Sequence, residues 1–147
     1  MWQHTKALDD YSDYHRDPVL ELKEKRPDLV LNISGSPYYF QRKDVRRTVF
    51  QAVAKTLHCP VILCNQVGAN DQLVFDGHSL HINPKGELMQ IAKGFAEDDL
   101  IVDLNGGKKP PSEVENPIRD LYSALVLGVH DYFHKQGLEK ALVGLSG

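Results

Sequence analysis

Cys59 and Cys64 are the two thiols of this sequence that could serve as nucleophiles. A thiol attacks as its thiolate, which needs a base or a positive charge beside it. Both cysteines instead belong to one apolar run, Cys59-Pro60-Val61-Ile62-Leu63-Cys64, where small apolar packing is the ordinary role of cysteine. An extended strand would hold them ~16 Å apart, too far for a disulfide. His130 and His134 stand four apart, a spacing that can ligate zinc from one helix. Asp131 occupies the position where a metalloprotease motif has glutamate, and the pair reads as solvated or interfacial. His78 and His81 fall on opposite faces of a strand and cannot cooperate directly. Arg42, Arg46 and Arg47 form a small basic cluster, in which anion binding competes with a solvated helix face. Ser36, before Pro37, serves either as turn chemistry or as a hydroxyl for a ligand. At the far end, Val143-Gly144-Leu145-Ser146-Gly147 reads as a strand entering a Ser-Gly turn, the way α/β nucleotide sites begin.

These groups need elements to position them. Asp17 can cap a helix with Pro18 at its first position and Pro27 beyond its end. Residues 28–34 are a short apolar run that reads as a buried strand, broken by Gly35-Ser36-Pro37. Val45, Val49, Ala52, Val53 and Leu57 fall at helical spacing over 43–57, and the run 61–64 follows as a second buried strand. Strand, helix, strand with continuously apolar strands predicts a sheet covered by helices. Short strands are expected at 72–75, 79–82, 88–91 and 100–104, with turns at Asp76-Gly77 and Asn83-Pro84-Lys85-Gly86, as an antiparallel meander added to that sheet. The stretch 105–111, Asn-Gly-Gly-Lys-Lys-Pro-Pro, reads as a linker, with Lys108 and Lys109 as solvating charges. Ser112 and Glu115 make a capping-box pair ahead of a helix with Ile118, Leu121, Tyr122, Leu125, Val129, Tyr132 and Phe133 along one stripe. Gly137 ends it, and 140–145 is expected to form a strand. The 36 residues from 112 to 147 are too few for a core of their own, so the chain reads as a piece of a longer protein that opens a second domain without completing it.

Composition narrows the function classes. Lysine and arginine total 17 against 20 aspartates and glutamates, a net charge of −3 that gives no reason to expect nucleic acid or an anionic membrane as partner. With 25% charged and 41% hydrophobic residues, the sequence matches a folded globular chain and not a disordered one. No apolar run approaches the ~18 residues of a membrane span, and the start Met1-Trp2-Gln3-His4 has no signal-peptide pattern. Together with two unbridged cysteines, this reads as a cytoplasmic, reduced chain.

Three stretches together resemble a known family. Asn32-Ile33-Ser34-Gly35-Ser36-Pro37, then Arg42 to Arg47, then Asn65-Gln66-Val67-Gly68 with Phe75-Asp76-Gly77-His78-Ser79, resemble the later half of a nitrilase-like glutaminase domain. Gly128-Val129-His130-Asp131-Tyr132, Lys135-Gln136-Gly137 and the Val143 to Gly147 segment resemble the entry to an ammonia-dependent NAD synthetase domain. In this order they resemble the glutamine-dependent NAD+ synthetase family. The resemblance implies an α/β fold: a partial nitrilase-like (CN hydrolase) α-β-β-α sandwich over 1–104, a linker over 105–111, and over 112–147 the first helix and strand of an ATP-pyrophosphatase-type domain.

What the family does then sets the expectations. Its members hydrolyse glutamine with a cysteine-glutamate-lysine triad, and the ammonia displaces AMP from adenylated deamido-NAD+ to make NAD+. Ser36 and Arg42 match the two positions of this half that contact glutamine; an arginine fork can hold a carboxylate through paired charge-assisted bonds. Gly144, Leu145, Ser146 and Gly147 match the start of the ATP loop. The resemblance places the triad upstream of Met1 and matches neither cysteine to the nucleophile, so no catalytic residue is assigned here and the chain alone is expected to be inactive. ATP and Mg2+ are expected for the full-length enzyme, with neither expected to bind this chain well, and a homo-oligomer is implied. Two other functions stay open: another amidase of the nitrilase superfamily, and a non-catalytic half-domain pairing with a separate subunit.

Overall fold

The computed structural model describes residues 16–104 and 116–147. Helix α1 (Pro18–Lys25) starts where Asp17 Oδ1 accepts the Val19 N–H at 2.9 Å, and ends at Arg26 in the left-handed region, just ahead of Pro27. Strand β1 (Val30–Ser34) leads through a break into α2 (Arg42–Leu57), which returns the chain to β2 (Val61–Asn65). β1 and β2 pair in parallel from Val30↔Val61 to Ser34↔Asn65, so α2 is the crossover such a pair requires. β3 (Val67–Asn70) and β4 (Leu73–Asp76) follow as a hairpin, then β5 (Leu80–Ile82), β6 (Leu88–Ile91) and α3 (Pro117–Gln136). The main sheet has the order β1-β2-β5-β6, its last two pairings antiparallel.

α1 and α2 cover one face of this sheet. Val49, Phe50 and Val53 of α2 meet Val61, Leu63 and Ile82 in the buried core, each apolar side chain contributing about 1.5–3 kcal/mol by leaving water. Cys59 lies in this core, where burial, then the Asp28 charge, pushes its thiol pKa up. The opposite face is different. Leu31 is 66% and Ile33 89% exposed, and Cys64 beside them is exposed too. The 28–34 run is therefore buried on one face only, and the packing role expected of both cysteines holds for Cys59 alone: alternate residues of a strand point to opposite faces.

Several sequence expectations change. β4 does not join the main sheet; it pairs with β3 in a separate two-stranded sheet, and only β5 and β6 extend the main one. Residues 100–104 form no strand, the Ile101 carbonyl accepting the Gln90 side-chain amide at 3.0 Å instead of a ladder bond. Residues 140–145 form no strand either; they are exposed with no strand paired to them, and an unpaired strand leaves its backbone groups without a ladder. The 105–111 linker and the Ser112–Glu115 box lie outside the described residues. Asn116 is the N-cap of α3, its Oδ1 accepting the Arg119 N–H at 3.0 Å, with Pro117 in the first turn where its missing N–H is harmless.

α3 also turns a different face inward than its apolar stripe suggests. Ile118, Tyr122, Leu125 and Val129 are exposed, while Ala124 is buried and Gly128 lies against Val74, where a Cβ would stand 3.4 Å from the valine methyl. Asp131 Oδ2 accepts the Ala69 N–H at 2.7 Å, and Lys135 Nζ donates to the Ala69 carbonyl. Small residues permit the close approach, and the polar ones satisfy the outer edge of β3. Gly137, at φ 66°, ends the helix as expected.

Candidate functional site

The site grows from the end of β1. The β1–β2 ladder stops at Ser34↔Asn65, and Gly35-Ser36-Pro37 turn the chain away toward the β3–β4 hairpin. Tyr38 N–H donates to the Val74 carbonyl at 2.6 Å, fixing that path. Gln41 adopts a left-handed conformation, and α2 opens at Arg42. This geometry brings the two glutamine candidates together. Arg42 Nε donates to Ser36 Oγ at 3.4 Å, the Arg42 guanidinium lies 4.5 Å from the Tyr39 ring centroid, and its Nη1 donates to the Tyr39 hydroxyl. Ser36 is buried and Arg42 is half-buried, so a partly exposed cation stands beside a buried hydroxyl.

One turn further along α2, Arg46 points inward and is buried. Its fork meets Asp76 with Nη2–Oδ1 at 2.7 Å and Nη1–Oδ2 at 3.3 Å. Nη1 also donates to the Gly77 carbonyl at 3.1 Å, and Nη2 makes a longer bond of 3.5 Å to the Ser36 carbonyl. His78 Nδ1 lies 3.1 Å from Asp76 Oδ2, and Asn65 Nδ2 donates to the Gly77 carbonyl at 2.9 Å. Burial raises the Asp76 carboxyl, but the hydrogen bonds from His78 and Arg46, with their charges, outweigh it and hold the group below the ordinary carboxylate range. Phe95 packs edge-on against both His78 and Tyr38, closing the cluster. Gly94 admits the His78 ring where any Cβ would collide with it. On the neighbouring side a cleft of about 530 Å³ is lined by Cys64, Asn65, His78, Ser79, Lys93 and Asp98.

The remaining candidates sit elsewhere. Gly144, Leu145, Ser146 and Gly147 are exposed, in backbone with neither helix nor strand. His130 and His134 stack at 6.0 Å between ring centroids, with His130 Nδ1 3.1 Å from Asp131 Oδ1. Among the described residues no group of three His, Cys, Asp or Glu side chains could hold a metal ion, and no helix is long and apolar enough to cross a membrane. His78 and His81 are both buried. Arg46 corrects the solvated-face reading of the basic cluster; it shares the α2 stripe with Val49, Val53 and Leu57, the one local signal of its burial. In the sequence Asp76 reads only as a turn residue, and Asn65 stands in the quoted motif without an assigned role.

The chain is similar to known proteins along most of its length. Residues 14–107 match the carbon-nitrogen hydrolase family. The chain is 39% identical over 140 residues to a glutamine-dependent NAD+ synthetase of Synechocystis sp., covering 91% of this chain and 25% of that protein. It is 33% identical over 141 residues to the synthetase of Rhodobacter capsulatus, covering 91% and 26%. A glutamine-dependent NAD+ synthetase structure from Acinetobacter baumannii, in complex with ADP, superposes with a TM-score of 0.72 at 31% identity, over 81% of this chain and 24% of that one. The chain thus spans about a quarter of the length of the relatives it matches. By sequence over most of its length, and by the fold of its mixed sheet, the chain belongs to the carbon-nitrogen hydrolase family.

Proposed function

We propose that this chain supplies the glutamine-carboxylate-binding wall of the glutaminase in an NAD+ synthetase, an enzyme that makes NAD+ from deamido-NAD+ with ATP and with ammonia drawn from glutamine. The convergence of Ser36 Oγ and the Arg42 guanidinium carries this reading. A half-buried guanidinium beside a hydroxyl suits a carboxylate, since charge-assisted bonds strengthen as water is excluded. The tyrosine ring and hydroxyl of Tyr39 hold the guanidinium from the other side, so little side-chain freedom remains to be lost on binding. The likeness to the synthetases extends past the hydrolase region into α3, over 91% of the chain, which favours a synthetase over a simple amidase.

The reacting thiol lies outside these residues. Cys59 is buried with its pKa raised, which suppresses the thiolate, and Cys64, though exposed, does not match the nucleophile position of the family that the sequence resembles. The Gly144 to Gly147 segment is proposed as the start of an ATP loop in the longer enzyme. As it stands it does not fit ATP or Mg2+: a pyrophosphate cradle needs converging N–H donors at a helix start, and these residues are exposed in irregular backbone. The proposal places the enzyme in the cytoplasm as a homo-oligomer, working on small molecules and not on nucleic acid. A net charge of −3 and two free cysteines support that setting.

The test is a hybrid in which this chain replaces the matching stretch of the Synechocystis synthetase, assayed for NAD+ formation from glutamine and, separately, from ammonia. Arg42→Ala is expected to raise the glutamine KM about 10- to 100-fold, the worth of a charge-assisted bond, and to leave the ammonia-driven rate unchanged. An unchanged glutamine KM would remove Arg42 from the site. The chain alone is expected to release no ammonia from glutamine; measurable turnover would place a nucleophile among its own residues.

A further inference from the structure

Ser36 lies just beyond the β1–β2 ladder, which leaves its backbone N–H and C=O without a partner in that ladder, while Pro37 beside it bridges to Phe75 of β4. Two buried side chains from different elements take them up. Asn65 of β2 accepts the Ser36 N–H on Oδ1 at 2.9 Å, and Arg46 of α2 reaches the Ser36 carbonyl at 3.5 Å. These two side chains are in turn locked to each other, since Arg46 Nη1 and Asn65 Nδ2 both donate to the carbonyl of Gly77. Asp76 anchors the other edge of the Arg46 fork.

The residue types fit this role closely. Neutralising a buried Asp76 needs only one cation, and a lysine would supply it. Arg46 does more, because its planar fork spans Asp76, Gly77 and Ser36 together, which a single ammonium on a flexible stem does not reproduce. Asn65 likewise needs an acceptor on one side of its amide for Ser36 and a donor on the other for Gly77. An apolar residue would leave the buried Ser36 N–H unpaired, and a carboxylate would set its second oxygen against the Gly77 carbonyl.

We infer that Asn65 and Arg46 are positioning residues that fix Ser36, and through its hydroxyl the Arg42 guanidinium, in the arrangement that receives the α-carboxylate of glutamine. They act through Ser36 and touch no substrate. The inference rests on the proposed Ser36–Arg42 site and goes one layer beneath it.

Two measurements test it. In the 147-residue chain, Asn65→Ala is expected to speed amide hydrogen exchange at Ser36 by about tenfold or more while the Val53 and Leu63 amides keep their protection. In the hybrid synthetase, Asn65→Ala and Arg46→Lys are each expected to raise the glutamine KM about tenfold, as sub-ångström misplacement of a binding group does, with the ammonia-driven rate unchanged. Arg46→Lys keeps a positive charge opposite Asp76, so a merely neutralising role predicts no change in KM. If Arg42→Ala raises the glutamine KM but Arg46→Lys and Asn65→Ala hold it within about twofold, the positioning role is wrong and the site stands. If Arg42→Ala is also silent, the site reading itself fails. Should the hybrid variants not fold, the exchange experiment decides: unchanged Ser36 protection in both Asn65→Ala and Arg46→Lys overturns the inference.

Discussion

The Ser36–Asp76 region and the α3 region are both held by polar contacts, but the contacts lie at different depths. Around Ser36, the side chains of Arg46, Asp76, Asn65 and His78 are all buried, and their bonds tie α2, β2 and the end of β4 into one unit. On α3, Asp131 and Lys135 grip a single residue, Ala69, from a helix whose apolar stripe faces outward. Burying charged groups is unfavourable unless they are paired. Here both Arg46 Nη atoms, Asp76 and the Asn65 amide are bonded, while Arg46 Nε has no partner among the described residues. Bonds from three elements leave the cluster few alternative arrangements. The helix is held at a few points along one edge. The contrast locates the rigid part of the molecule, and the Ser36–Arg42 pair sits on top of it.

The contrast breaks most visibly at Arg46. Arg46→Ala leaves Asp76 buried with half its partners gone, and is expected to destabilise the chain by about 3–5 kcal/mol, read as a lower urea midpoint. A loss below about 1 kcal/mol would mean that water enters the cluster and satisfies Asp76. Acid should act on the same pair more gradually. Because the folded Asp76 pKa is depressed, its stabilisation is fully present above the unfolded carboxylate value of about 4 and is lost as pH falls through the lower folded value. Replacing both partners, Arg46→Met with Asp76→Asn, should flatten that acid limb of the stability profile. An unflattened limb would assign the acid loss to other carboxylates.

Smaller effects sharpen the α3 side. Asp131→Ala is expected to cost about 1 kcal/mol, and to raise amide exchange in α3 while leaving β2 protected. Equal loss in both would join the two regions into a single cooperative unit. Leu125→Glu, on the exposed stripe, should change the stability of this chain by no more than about 0.5 kcal/mol. A larger loss would show that the stripe is covered in solution.

Local signals were legible in the sequence and distant partners were not. Asp17 with Pro18, the spacing of Val49, Val53 and Leu57, the Asn83–Gly86 turn and the Gly137 cap each encode an element within a few residues of themselves, and the structure places those elements there. Arg46 reads as solvated in the sequence because its partner Asp76 is 30 residues away, and charge on a helix ordinarily means solvent. The strand at 72–75 was found within a residue or two, but its partner was not. Alternation fixes which face a strand buries and leaves its neighbour to be chosen by the whole chain. The stretch 140–145 forms no strand for the same reason, lacking a partner strand among the described residues to complete its backbone bonds. At the proposed site, Ser36 and Arg42 are candidates through resemblance, whereas Asn65 and Arg46 beneath them emerge only once β2 and α2 are set side by side.

The most direct measurement compares glutamine with its α-carboxamide analogue, which lacks the carboxylate, as ammonia donors for the hybrid synthetase and for its Arg42→Ala variant. A strong preference for glutamine that collapses in the variant is the expected result. An equal preference in both proteins would contradict the assignment of Ser36 and Arg42 as the seat of that carboxylate.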